Sequence, residues 1–165
     1  MVVENTQILD NNALNQRIKR ISYEIYENNM DEKHLILAGI SENGFALAKI
    51  FQKELESISP LKILPLKINI NKAEPFSDET KLVSTVNDLT DKSIILIDDV
   101  LNTGKTAAFA LKVLLDTNVK KIEFAVIVNR SHKTFPVYPK YRGYELATTI
   151  NENVEVKLNQ GVYLN

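Results

Sequence analysis

The apolar positions fall into segments of two different periods. After Asp10 and Asn11, either of which can cap a helix, Leu14, Ile18, Ile21 and Ile25 recur at helical spacing. They predict an amphipathic helix that frays near Asn28 and Asn29. Residues 35–40 (LILAGI) form a continuous apolar run ending in a glycine-containing turn, the pattern of a strand buried on both faces. A second helix is expected from about Gly44, with Leu47, Ile50, Phe51 and Leu55 inward, stopping before Pro60. Residues 61–70 read as a strand interrupted by Pro65, whose missing N–H places it nearer a sheet edge. Residues 71–92 are polar and mixed, too long for a simple turn, and segments of that length in compact domains often serve as lids or binding loops. A buried strand follows at 93–97, then a turn at 98–103. A helix over 106–116 carries Ala107, Ala110, Leu111 and Leu114 on one face, and 122–128 is a β-branched strand. Turn residues around Pro136, Pro139 and Gly143 lead to a short strand at 154–158.

Strands alternating with helices imply right-handed crossovers and a mainly parallel sheet covered on both faces, so the expected fold class is α/β. No repeat, low-complexity tract or linker divides the 165 residues, which are expected to form a single domain with 71–92 as a flexible segment. Charge narrows the candidates. A net charge of −1 gives no electrostatic case for a nucleic-acid or membrane binder. The chain has no cysteine, which removes disulfides, thiolate metal sites and a thiol nucleophile, and its two histidines are too few for a histidine-rich metal site. Neither the start of the chain nor any later stretch has a signal-peptide or membrane-span pattern, so a cytoplasmic protein without a membrane partner is expected.

The chemistry concentrates in SIILIDDVLNTGKTAAFAL. In open parallel sheets, ligands collect beyond the carboxyl ends of strands, where helix N-termini present unpaired N–H groups. Asp98 and Asp99 stand at such a strand end, and Thr103, Gly104, Lys105 and Thr106 then open a helix. Gly104 lets the backbone approach an anion, and the threonine hydroxyls with the helix amides can surround a phosphate. Paired carboxylates beside that phosphate suit a neutral diol or a partner carrying Mg²⁺. A ribose 5-phosphate has both features. Gly104-Lys105-Thr106 is also the end of a P-loop, but that motif needs a glycine where this chain has Asp99. A capped strand–helix turn with surface acids is the structural alternative.

LIDDVLNTGKT resembles the phosphoribosyl diphosphate (PRPP) motif of type I phosphoribosyltransferases, and most closely that of the pyrimidine-operon regulator and uracil phosphoribosyltransferase type. The resemblance spans ILDNNALNQRIKRISYEI, ILAGISENGFALA and VIVNRSHKTFPVYPKYRGYELATT as well. It implies a phosphoribosyl transfer from PRPP, carrying Mg²⁺, to a nitrogenous base. Asp98 and Asp99 would hold the ribose hydroxyls and favour positive charge at the anomeric carbon. Asn102, Thr103, Gly104, Lys105 and Thr106 would line the 5-phosphate site, with Mg²⁺ arriving on PRPP near Asp98 and Asp99. The loop of Ser41, Glu42, Asn43 and Gly44 would face the diphosphate; Val128, Asn129 and Arg130 would lie under the base; and 71–92 would form a small hood. A homodimer or higher homo-oligomer is also implied.

This chain departs from the resembling proteins in ways that bear on activity. Where they carry a threonine–arginine pair in the diphosphate loop, it has Glu42 and Asn43, and its NINKAEP segment lacks their Tyr-Arg pair. Glu42 should repel diphosphate unless Mg²⁺ or a nearby lysine compensates, so weak activity is expected. The 6-oxopurine enzymes carry an aspartate where Asn102 stands, and Asn102 cannot transfer protons at neutral pH, which points to a pyrimidine such as uracil, giving UMP. The alternatives are a nucleotide-sensing regulator of pyrimidine genes that binds RNA, and a nucleotide-binding homologue without catalysis. RNA is not favoured. Arg17, Lys19 and Arg20 make a basic stripe on the first helix, but Tyr23 stands where the regulators have a histidine. His132 reads as a loop histidine with local hydrogen bonds rather than a base, His34 as structural, and Tyr138, Tyr141 and Tyr144 as packing and dimer contacts.

Overall fold

The computed structural model describes residues 5–71, 81–83, 88–147 and 151–165. β1 (Thr6–Asp10) leads into α1 (Asn11–Asn28), followed by β2 (His34–Ile40), α2 (Ser41–Ile58), β3 (Lys62–Asn69) and β4 (Lys81–Val83). Then come β5 (Ser93–Leu101), α3 (Lys105–Leu114), β6 (Lys121–Arg130), β7 (Tyr141–Leu146), β8 (Val154–Lys157) and β9 (Gly161–Leu164). The main sheet runs β4-β3-β2-β5-β6-β7. β3, β2, β5, β6 and β7 are parallel, and β4 pairs antiparallel with the end of β3. This is the expected α/β architecture with a mainly parallel sheet.

Each face of that sheet has its own core. Leu14, Ile18, Ile21 and Ile25 of α1 and Leu47, Phe51 and Leu55 of α2 pack with Leu35, Leu37, Ile95, Ile97, Ala125 and Ile127. Ala107, Ala110 and Leu114 of α3 cover Ile36, Ala38, Leu96 and Val126 on the other side. At about 1.5–3 kcal/mol for each fully buried aliphatic side chain, these two layers are what hold the strand ends in place. α1 begins as its capping residue dictates: Asp10 Oδ1 accepts the Ala13 N–H at 2.7 Å. At its other end Asn29 donates to Ile25 O at 2.8 Å and to Glu123 Oε1 at 2.8 Å.

Several boundaries differ from the sequence expectation. β5 continues through Asp98 and Asp99 to Leu101, where a turn from 98 is expected. Pairing with β6 (Asp98↔Val126, Val100↔Val128, Leu101↔Asn129) outweighs the poor strand propensity of two aspartates. α2 begins at Ser41, directly after β2, so Ser41 to Gly44 form its first turn rather than a separate loop. Gly143 lies inside β7 and not in a turn, because pairing with β6 draws it into the sheet, where a Cβ would stand 2.7 Å from Ile127 O. Pro65 lies in β3, next to the edge strand β4, which among the described residues pairs with 67–69 of β3.

The two ends of the chain make a second, three-stranded sheet, β1-β9-β8, which the hydrophobic pattern did not foresee. Gly161 permits it. Its φ of +145° and the 2.2 Å that would separate a Cβ from Leu9 O leave room for nothing larger. Of the 71–92 segment, residues 72–80 and 84–87 lie outside the described residues, together with the expectations placed on them. No helix among the described residues is long and apolar enough to cross a membrane.

Candidate functional site

The strand order reverses direction between β2 and β5. From β2 the chain moves outward to β3, and then returns to β5 and continues to β6 on the other side. α2 follows β2 on one face and α3 follows β5 on the other. The two helix N-termini therefore open beside the same crevice at the carboxyl ends of the strands, the place where open parallel sheets bind ligands. Ser41, Glu42, Asn43 and Gly44 enter it from β2, Asp98 to Thr106 from β5, and Val128, Asn129 and Arg130 from β6. The sequence-predicted site residues are thus brought to one edge.

At that edge the carboxylates replace missing backbone partners. Asp98 Oδ1 accepts the Asp99 N–H at 2.9 Å, and Asp99 Oδ1 accepts the Val100 N–H at 2.8 Å. Asp98 is buried and Asp99 half-buried. The outer oxygen of Asp99 accepts from Asn43 Nδ2 at 3.3 Å, tying the first turn of α2 to the acidic pair. Beyond them, residues 98 and 100–107 enclose a cavity of about 180 Å³. Gly104 turns the chain into α3 at φ +88°, a left-handed conformation that favours glycine. Thr103 Oγ1 accepts the Lys105 N–H at 3.3 Å, and Thr103 O accepts the Thr134 and Phe135 N–H groups at 2.9 and 3.0 Å. The turn is therefore held from beneath by the segment after β6. That support had no signal in the sequence, since it uses main-chain groups alone.

Gly39 and Gly44 set the contact between β2 and α2. A Cβ on Gly39 would lie 2.4 Å from Gly44 O, and one on Gly44 would lie 2.8 Å from Ile97 O. Gly39→Ala is expected to displace the first turn of α2 and cost about 1–3 kcal/mol of stability, read by denaturant unfolding. An unchanged midpoint would show that the helix can shift freely.

The β6 end carries a polar group that the sequence reading named only in part. Asn129 Nδ2 donates to Glu145 Oε1 at 3.1 Å, and its Oδ1 accepts from Lys133 Nζ at 2.5 Å. Burial holds the Lys133 ammonium below the usual lysine range, and Glu145 opposes that shift. Arg130 donates to Asn102 Oδ1 at 3.0 Å and to Glu152 O at 2.8 Å. Across the crevice, Glu42 is ion-paired with Lys67 of β3. The sequence asks for a lysine near Glu42; Lys67 stands there, and it was missed because a lone lysine in a strand carries no signal of its own.

The other candidates sort plainly. Arg17 donates to Gly143 O at 3.3 Å and lies 5.9 Å from the centre of the Tyr144 ring. Arg20 donates to Glu24 at 2.9 Å and to Arg142 O at 2.9 Å. The basic stripe is therefore partly folded onto β7. Tyr141 is buried against Glu123, whereas Tyr138 is exposed. His132 Nε2 is buried without a hydrogen-bond partner, contrary to the local bonding expected of it, and His34 sits at the exposed start of β2. Among the described residues no cluster of three or more His, Asp or Glu side chains could hold a metal ion.

A doubly flanked parallel sheet with an acid pair and a glycine turn at its switch point defines a class of nucleotide-handling α/β proteins. The chain belongs to the type I phosphoribosyltransferases, PyrR-like in kind, with residues 4–160 matching the phosphoribosyl transferase domain family. It is 33% identical over 164 residues to the "Bifunctional protein PyrR" of Acetivibrio thermocellus, covering 95% of this chain and 89% of that protein. The protein of the same name from Clostridioides difficile is 34% identical over 167 residues, covering 95% and 93%. Among solved structures, a hypoxanthine phosphoribosyltransferase of Trypanosoma cruzi superposes with a TM-score of 0.78 at 11% identity, covering 96% of this chain and 95% of that one. That last likeness establishes the fold alone.

Proposed function

We propose that this protein transfers a phosphoribosyl group from PRPP to a pyrimidine, with uracil giving UMP. The observation that carries the reading is Asp98, with Asp99 beside it, against the cavity closed by Asn102 to Thr106, at the switch point of a chain similar to PyrR proteins. Lys105, the threonine hydroxyls and the α3 amides would take the 5-phosphate. Asp98 and Asp99 would hold the ribose hydroxyls. The bond from the anomeric carbon to diphosphate would break with its electron pair leaving on the diphosphate, a bond from that carbon to the base nitrogen would form, and the base N–H proton would pass to the departing diphosphate or to water. Positive charge grows at the anomeric carbon in between, facing the two carboxylates. Mg²⁺ would neutralise the leaving diphosphate. The hard carboxylate oxygens of Asp98 and Asp99 fit such an ion arriving with PRPP. Val128, Asn129 and Arg130 would lie under the base, with the Asn129 amide fixed by Glu145 and Lys133.

The second reading is a nucleotide-sensing regulator that binds RNA. A cavity of about 510 Å³ between α1 and β7, lined by Arg17, Arg20, Lys140 and Arg142 together with Glu24 and Glu145, favours it. The bonds that Arg17 and Arg20 make to β7 and Glu24 count against it, since RNA would have to compete for them. A cytoplasmic homo-oligomer is proposed on the same family ground.

The test is diphosphate release from PRPP and Mg²⁺ with uracil, cytosine, hypoxanthine and guanine. Slow turnover with uracil is expected, and Asp98→Asn with Asp99→Asn should lower that turnover by roughly 10²-fold while changing UMP affinity far less. A preference for hypoxanthine, or full turnover in the double variant, would overturn the reading.

A further inference from the structure

Lys67 and Glu42 form an ion pair whose two halves are held very differently. Lys67 lies on β3, in register with Gly39 of β2, and its side chain is 18% exposed; that of Glu42 is 84% exposed. The lysine is held on the strand, whereas the exposed Glu42 can swing into water at little cost. Beside them Ser41 sits at φ +58°, a left-handed conformation uncommon for serine. Its hydroxyl oxygen is buried and has no hydrogen-bond partner. A buried donor without a partner next to an anchored cation is a group that an arriving anion would complete. No side chain caps the first turn of α2, so its amide N–H groups face the same space. Ser41, Glu42, Asn69, Ile70 and Asn71 line a cavity of about 520 Å³ there.

We infer that Lys67 is the cation that receives the diphosphate of PRPP, and that Glu42 is its resting counter-ion, a built-in competitor that the substrate displaces. The inference rests on the function proposed above. It assigns to a strand residue the charge that the Glu42-Asn43 turn does not supply. Asn43, bonded to Asp99, holds the same turn from its other side. Displacement of Glu42 would thus be felt at the carboxylates that face the ribose.

The test is calorimetric titration of wild type, Lys67→Met, Lys67→Arg and Glu42→Gln with inorganic diphosphate and, separately, with UMP, both with Mg²⁺. Loss of one bond to a charged group predicts diphosphate affinity at least about tenfold weaker in Lys67→Met, largely restored in Lys67→Arg. UMP affinity should stay within about twofold. Glu42→Gln should bind diphosphate more tightly than wild type, by up to about tenfold, because it removes the competitor. Unchanged diphosphate affinity in Lys67→Met, or weaker binding in Glu42→Gln, overturns the inference while UMP binding leaves the site reading intact. If Lys67→Met lost both ligands equally, Lys67→Arg would have to keep both, and failure to do so would assign Lys67 a structural role only. A wild-type protein that binds no UMP would sink the phosphoribosyl reading itself and this inference with it.

Discussion

Replacing both Thr103 and Thr106 by alanine is expected to weaken UMP binding by roughly 10²–10⁴-fold, since each hydroxyl bond to a charged group contributes about 1.5–3 kcal/mol. The fold should survive the change. Thr103 carries most of its structural load through its carbonyl, which accepts the Thr134 and Phe135 N–H groups whatever the side chain, and its hydroxyl adds only the 3.3 Å bond from the Lys105 N–H. Gly104, which sets the left-handed turn, is untouched. The loss should therefore appear in the titration and barely in the unfolding midpoint. Affinity unchanged in the double variant would move the phosphate away from this turn.

The second large effect lies at the opposite end of the sheet. Glu123 on β6 is buried, bonded by Asn29 Nδ2 at 2.8 Å and Tyr141 Oη at 3.0 Å, and ion-paired with Lys140 and with Lys121 at 3.3 Å. Glu123→Ala would remove the buried acceptor shared by the Asn29 amide, which keeps its bond to Ile25 O, and the Tyr141 hydroxyl, at a cost of about 1–3 kcal/mol. Burial pushes the Glu123 carboxyl up, but the bonds from Lys140, Asn29 and Tyr141 outweigh it and hold the group below its ordinary 4.5. The same neighbourhood raises the Tyr141 hydroxyl, through burial first and the Glu123 charge second. A carboxyl depressed in the folded state adds stability that is fully present above 4.5 and is lost as the pH falls through its lower folded value. The stability difference between wild type and Glu123→Gln should therefore be greatest near neutral pH and shrink below about pH 4.5. Denaturant unfolding at a series of pH values measures it. A difference that stays constant into acid would show that the charge of Glu123 is not what stabilises the fold.

Much of the fold could be read because the periodicities are strong. The run at 35–40 and the helical spacing from Leu14 to Ile25 each correspond to an observed element. Boundaries went astray where tertiary pairing overrode local preference. Asp98 and Asp99 extend β5 because β6 lies alongside and their own oxygens take up the neighbouring N–H groups. Strands β1, β7 and β9 were invisible for a related reason. Each is four to six residues long, too short for a clear period, and β1 pairs only with β9 at the far end of the chain. At the site, the TGKT turn and the acid pair were legible because their chemistry is contiguous. The Lys67–Glu42 pair and the Lys133–Asn129–Glu145 group were not, because each joins residues that only the folded sheet makes neighbours.

The central claim is a site for a ribose 5-phosphate at the carboxyl end of β5. Its most direct test is the ratio of UMP to uridine affinity in the wild-type protein with Mg²⁺, measured by calorimetry. The two ligands differ only in the phosphate that the Thr103–Thr106 turn is proposed to hold. The account predicts saturable one-site binding of UMP, with uridine weaker by at least roughly 10²-fold, as loss of two charged hydrogen bonds requires. Equal affinity for the two, or no binding of UMP at all, would contradict it.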